Sequence, residues 1–103
     1  MVKHVILWKL KDEYSGAEIK YIKAGIKSGL EGLKGNIPGL PGLIDIKVNI
    51  EPLESSNCDL MLDSTFEDYE SLKAYSKNPL HVDVANTKVR PFTATRTCLD
   101  YEV

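Results

Sequence analysis

The sequence predicts one α+β domain, with four strands in an antiparallel sheet and the helices on one of its faces. Three observations carry this reading. Four segments alternate apolar and polar residues at the period of half-buried strands. A long apolar stripe at steps of three and four, Ile19, Ile22, Ile26, Leu30 and Leu33, marks a helix between the first two strands. A shorter helical segment separates the third and fourth strands.

Val2 to Leu10 forms the first strand. Val2, His4, Ile6, Trp8 and Leu10 share one face, and Val5 and Leu7 lie on the other. Both faces are partly apolar, so this strand is expected at the centre of the sheet. Ser15-Gly16-Ala17-Glu18 fits a capping box, in which Ser15 and Glu18 satisfy each other's backbone donors and start the helix. Gly25, Gly29 and Gly32 lie beside the stripe and either admit a close neighbour or fray the last turns. Pro38-Gly39-Leu40-Pro41-Gly42 ends the helix. In the second strand, Leu43 to Ile50, Ile44, Ile46, Val48 and Ile50 oppose Asp45, Lys47 and Asn49. A turn through Glu51 to Asn57 leads to the third strand, Cys58 to Phe66. The second helix starts near Glu67-Asp68, where acids suit the N-terminal dipole, and carries Tyr69, Leu72 and Tyr75 inward to Lys77. Asn78 as cap and Pro79 at the first helical position restart a short helix, with His81 in its first turn. In the last strand, Phe92 to Tyr101, Phe92, Ala94, Arg96, Cys98 and Asp100 alternate with Thr93, Thr95, Thr97, Leu99 and Tyr101.

This order is the split βαβ, or ferredoxin-like, pattern. Right-handed crossovers place the strands in the order four, one, three, two. The helices cover one face, over Ile6, Trp8, Ile44, Ile46, Leu60 and Leu62. The opposite face mixes Val5, Leu7, Met61, Leu99 and Tyr101 with charges and threonines. It is too apolar to leave open and too polar for a dry core, so a two-fold homodimer through the sheet face is expected.

Length and composition agree. The 103 residues suit a single domain over 1–103, and 43% hydrophobic with 27% charged residues is an ordinary globular balance. Lys plus Arg is 13 against 15 for Asp plus Glu, a net charge of −2, which gives no field to recruit nucleic acid or acidic membrane. Neither partner is expected. No apolar run approaches the roughly 20 residues of a membrane span, and the N-terminal segment does not read as a signal peptide. The expectation is a soluble, cytoplasmic protein. Cys58 and Cys98 fall at opposite ends of non-adjacent strands, too far apart to bridge, and read as buried thiols. No P-loop, G-x-G-x-x-G, H-E-x-x-H or C-x-x-C motif occurs. With no adjacent ligand pair for either histidine, neither metal nor cofactor is expected.

Val2-Lys3-His4, the Phe66-Glu67 junction and Ala74-Tyr75-Ser76-Lys77-Asn78-Pro79-Leu80-His81 are similar to one known family. The chain resembles the stress-responsive A/B barrel domains, dimeric α+β barrels, over nearly its full length. The Tyr-x5-His spacing with Pro two residues before the His is the most specific feature. Within that family the nearest analogy is the plant polyketide cyclase of the olivetolic acid type, which closes a chain by aldol condensation without metal or organic cofactor. The resemblance aligns the catalytic Tyr and His of that type with Tyr75 and His81, its strand-one His with His4, and its last-strand carboxylate with Asp100. Ile22 and Ile26 stand where it has aromatic tunnel residues.

The residues themselves allow this chemistry. A histidine in a first helical turn is favoured as neutral imidazole and can take a proton near pH 7. The Tyr75 hydroxyl could hold an enolate oxygen, and Asp100 could fix the tautomer of His81. His4 opens a strand adjacent to the one that Asp100 closes, so these two should meet. The same Tyr, His and Asp could equally form a hydrogen-bonded plug that only satisfies buried polar groups. His4 taken alone reads as a core residue. Arg96 needs an anion, either Asp100 or a ligand carboxylate, unless a bulge turns it to solvent.

Two functional readings follow. In one, a small, mostly apolar ligand sits between sheet and helices against Ile6, Trp8, Ile22, Ile26, Leu62 and Arg96. His81, Tyr75, Asp100 and His4 then act as a cofactor-free lyase, cyclase or isomerase. In the other, a non-catalytic dimer serves stress tolerance by binding or structure alone.

Overall fold

The structure, a computed structural model, describes residues 1–34 and 40–103. The expected stop at Pro38-Gly39 lies outside the described residues. The chain runs β1 (Val2–Leu10), α1 (Gly16–Glu31), β2 (Leu43–Asn49), β3 (Leu60–Phe66), α2 (Tyr69–Lys77), α3 (Pro79–Val84) and β4 (Thr93–Glu102). The sheet is antiparallel in the order β2-β3-β1-β4, as the topology requires.

Local chemistry sets the helix starts. Ser15 Oγ accepts from the Glu18 amide at 3.2 Å, and Glu18 Oε1 accepts from the Ser15 amide at 3.0 Å, the reciprocal capping box. Asp68 caps α2 through the Ser71 amide at 2.8 Å. Asn78 Oδ1 caps α3 through the Leu80 amide at 2.9 Å, with Pro79 at the first position. Between α3 and β4, Ala85–Val89 widens into a π-helical turn and Arg90–Phe92 tightens into a 3-10 turn.

The core lies between the sheet and the helices. Ile6, Trp8, Leu60, Leu62 and Phe66 meet Ile22, Ile26, Leu30, Leu72 and Tyr75 there. Gly29 lets α3 approach α1, since a Cβ at that position would stand 3.1 Å from Val84 Cγ1. Gly42 has φ of +90°, and a Cβ there would strike Ser71, so the turn into β2 requires glycine.

Several expectations need correction. Pairing skips Ile44, so Leu43 opposes Phe66 and joins the core, while Ile44 is left half-buried outside it. A second irregularity skips Ala94 where Lys9 pairs with Thr95 and Leu10 with Thr93, which turns Thr93 onto the helix side. Tyr69 opens α2 at 54% exposure instead of packing inward. Strand β3 begins at Leu60 rather than Cys58. The two thiols are free, as expected, but Cys58 is half-buried and Cys98 exposed rather than sealed in the core.

Candidate active site

The helix side of the sheet holds a cleft of about 100 Å³ between β1, β4 and the α2–α3 region. Ile6, Trp8, Leu30 and Leu62 give it an apolar floor, and Ala85 and Val89 of the π-helical turn add a wall. Its polar lining is His4, Tyr75, Ser76 and His81. Arg90, Thr93 and Arg96 complete it.

Tyr75 reaches this place because α2 ends one residue before the Asn78 cap, and His81 because α3 starts immediately after it. The two rings lie 4.2 Å apart between centroids. Tyr75 also packs on Phe66 at 5.0 Å and faces His4 at 6.3 Å. Tyr75 is 1% exposed, yet among the described residues its hydroxyl has no hydrogen-bond partner, and neither has the buried Nδ1 of His81. Buried polar atoms are nearly always paired, so two orphans lining one cleft define its chemical end.

Burial pushes the Tyr75 pKa upward, so the phenol stays protonated and can only donate or accept as a neutral group. Burial also lowers the pKa of His81, opposed by the Ser76 backbone and reinforced by His4, Arg90 and Arg96. His81 is therefore neutral near pH 7. The Ser76 backbone faces the ring, and Nδ1 has no hydrogen-bond partner among the described residues.

Asp100 does not orient His81. Its carboxylate holds His4 instead, with Oδ1 at 2.5 Å from Nδ1, because the two residues are directly opposed across β1 and β4. Cys98 sits beside this pair, its Sγ at 3.7 Å from His4 Nδ1 and 3.5 Å from Asp100 Oδ1. These three donor atoms lie within 4.8 Å of one another, a spacing that could hold a metal ion. The meeting of His4 and Asp100 was expected from their strands, but the approach of Cys98 to the pair was not. Burial and the Asp100 carboxylate raise the Cys98 pKa, so the thiol is not an activated nucleophile.

Arg96 opposes Trp8 and stays on the cleft side, since the irregularity in β4 falls beyond it at Ala94. Among the described residues it makes no ion pair, with Asp100 or any other carboxylate. Of the other expected contact residues, Ile6, Trp8 and Leu62 line the cleft, whereas Ile22 and Ile26 are packed in the core away from it. Leu30, Ser76, Ala85, Val89, Arg90 and Thr93 were not foreseen. His81, Ala85 and Val89 recur at steps of four, a signal that was available.

A larger cavity of about 440 Å³ lies elsewhere, by the β2–β3 connection, against Leu7, Glu51, Cys58 and Met61. It gathers none of the paired Tyr and His chemistry.

Known proteins share this architecture. The family described as Stress responsive A/B Barrel Domain matches residues 2–103. None of the curated proteins matches. A dimeric protein of unknown function and ferredoxin-like fold from Bacteroides fragilis is 26% identical, with a TM-score of 0.87 over 99% of this chain and 95% of that one. A Dabb family protein with a ferredoxin-like fold from Mesorhizobium loti is 17% identical, with a TM-score of 0.74 over 99% and 95%. A hydroxynitrile lyase from Passiflora edulis is 17% identical, with a TM-score of 0.69 over 97% and 90%.

Proposed function

The chain belongs to the stress-responsive A/B barrel domain family, and on that premise we propose that it binds a small carbonyl compound in the sheet–helix cleft and acts on it by cofactor-free acid/base catalysis. One observation supports this reading: Tyr75 Oη and His81 Nδ1 are buried without a hydrogen-bond partner among the described residues, and both residues line the same cleft. A plug would pair its polar atoms within the protein. A binding site leaves them for a guest.

His81 Nδ1 removes a proton from the carbon alpha to the carbonyl. The C–H electron pair becomes the new C=C bond, and the carbonyl π pair moves to oxygen. Tyr75 donates its hydroxyl hydrogen to that oxygen. In an unsaturated ligand, return of the proton at the γ carbon of the dienolate isomerises it; with a second carbonyl in the same chain, attack of the enolate carbon closes a ring, and the new alkoxide takes the proton back from the imidazolium. The histidine is then regenerated without a cofactor. His4, held by Asp100, faces the cleft as a second imidazole and positions the ligand.

The assembly is a homodimer through the open sheet face. Leu99 and Tyr101 are 63% and 43% exposed there, beside half-buried Val5, Leu7 and Met61. The dimeric Bacteroides protein of similar fold supports this arrangement. A non-catalytic binding dimer is the second reading, favoured by the small cleft volume.

Proton exchange tests the proposal. Butanone incubated with the protein in D2O should lose its alpha protons faster than in buffer, as read by NMR. His81→Gln should abolish most of that acceleration, about 100-fold or more for a general base. Exchange equal in wild type and variant leaves only the binding role.

A further inference from the structure

We infer that the cleft selects an anionic carbonyl compound, an oxo acid, whose carboxylate meets Arg96 and Arg90 while its carbonyl meets Tyr75 and His81; this rests on the proposed role of the latter pair. Both arginines line the same cleft as the two orphaned polar atoms. Among the described residues, neither guanidinium is paired with a carboxylate.

The nearest candidate anion is committed elsewhere. Asp100 lies four residues along the same strand from Arg96, about 13 Å at strand rise, and its carboxylate holds His4. Arg90 donates through Nη1 to the neutral amide of Asn86 at 2.6 Å, which leaves its charge uncompensated and its other donors available. Two permanent cations with forked donors lining one cleft favour a carboxylate over a neutral group. Their charge also helps keep His81 neutral, which a catalytic base there requires.

The floor of Ile6, Trp8 and Leu62 accommodates a short hydrocarbon segment between the two ends. A cleft of about 100 Å³ suits a compound of a few carbons.

The probes are acetoacetate and acetoacetamide, which match in shape and differ in charge. Calorimetry on the intact protein at low salt should show the acid binding about tenfold tighter than the amide, the difference made by a charge-assisted pair. Arg96→Gln should bring the two affinities together by weakening the acid more than the amide, with Arg90→Gln giving a smaller shift in the same direction. Both positions are exposed, so folding should survive, as checked by the thermal midpoint. Tyr75→Phe should weaken both probes alike. Equal binding of acid and amide by the wild type, or a preference for the acid that persists in both arginine variants, overturns the anionic class and leaves the carbonyl reading standing. Binding of neither probe by the wild type overturns both.

Discussion

Among the described residues, Tyr75 Oη, His81 Nδ1 and Asp63 Oδ1 are buried without a hydrogen-bond partner, and of these only Asp63 has an opposite charge beside it, Lys3 Nζ at 2.7 Å. Such a group costs about 1–3 kcal/mol when it is left unsatisfied. Removing the hydroxyl should therefore not harm the fold. Tyr75→Phe is expected to leave the unfolding free energy unchanged or raise it by up to about 1 kcal/mol, measured by urea denaturation, while binding is lost. A drop of more than 1 kcal/mol would reveal a protein partner for the hydroxyl. Tyr75 and His81 come together because the Asn78-Pro79 break fixes where α2 stops and α3 starts. Asp100 meets His4, as its place on the neighbouring strand implied, and that pairing takes it from the other role expected of it, at His81. Alternation along β4 specifies a face, but a cross-strand partner depends on the register, and sequence spacing alone does not choose between two nearby histidines.

The elements show why some parts were legible and others not. Capping boxes and Pro positions are local, so Ser15, Glu18, Asn78 and Pro79 behaved as read. The skipped residues Ile44 and Ala94 were hidden, because a bulge is settled by pairing with another strand. The π-helical turn at Ala85–Val89 was hidden too, as one extra residue per turn leaves little trace in the apolar pattern. Tyr69 is an ambivalent residue whose direction only the start of α2 decides. Edge protection was likewise invisible. On edge strand β2, Val48 donates to Glu31 Oε2 at 2.9 Å and its carbonyl accepts from Lys27 Nζ at 2.8 Å. These α1 side chains also pair with each other at 2.8 Å and occupy backbone groups that another chain would use. Burial alone would raise the Glu31 pKa, but the bonds from Lys27 and the Val48 amide outweigh it and hold the carboxyl below its ordinary 4.5. A depressed carboxylate stabilises the fold above that value and ceases to do so as pH falls through the folded pKa. Glu31→Ala should cost about 1 kcal/mol at pH 7 and flatten the decline in stability below pH 4.5. A variant with the wild-type pH profile would show that the clasp contributes nothing.

For the whole molecule, the helices cover one face of the sheet and leave the other to be hidden. The open face carries exposed Leu99 and Tyr101, and β4 is a ten-residue edge strand without a clasp like that of β2. Both features would be covered by the second copy proposed above. Sedimentation at micromolar concentration should give a dimer for the wild type and a monomer for Leu99→Lys, since a buried lysine would lack a partner on the two-fold axis. A wild type that sediments as a monomer would contradict the assembly. Fold class and strand order were readable from the sequence because alternation and helical stripes are repeated signals, each supported by many residues. The cleft was less readable, since its lining comes from five separate stretches of chain.

Nitrogen NMR of the labelled histidines tests the reading of the site most directly. His81 should show an unprotonated Nδ1 at pH 7 and titrate below its ordinary value of 6.5, in keeping with its lowered pKa. Because the unfolded ring takes up its proton first, stability should fall as pH drops below that value. A protonated Nδ1 at neutral pH, or titration at the ordinary value, would contradict the assignment of His81 as a free base facing the cleft.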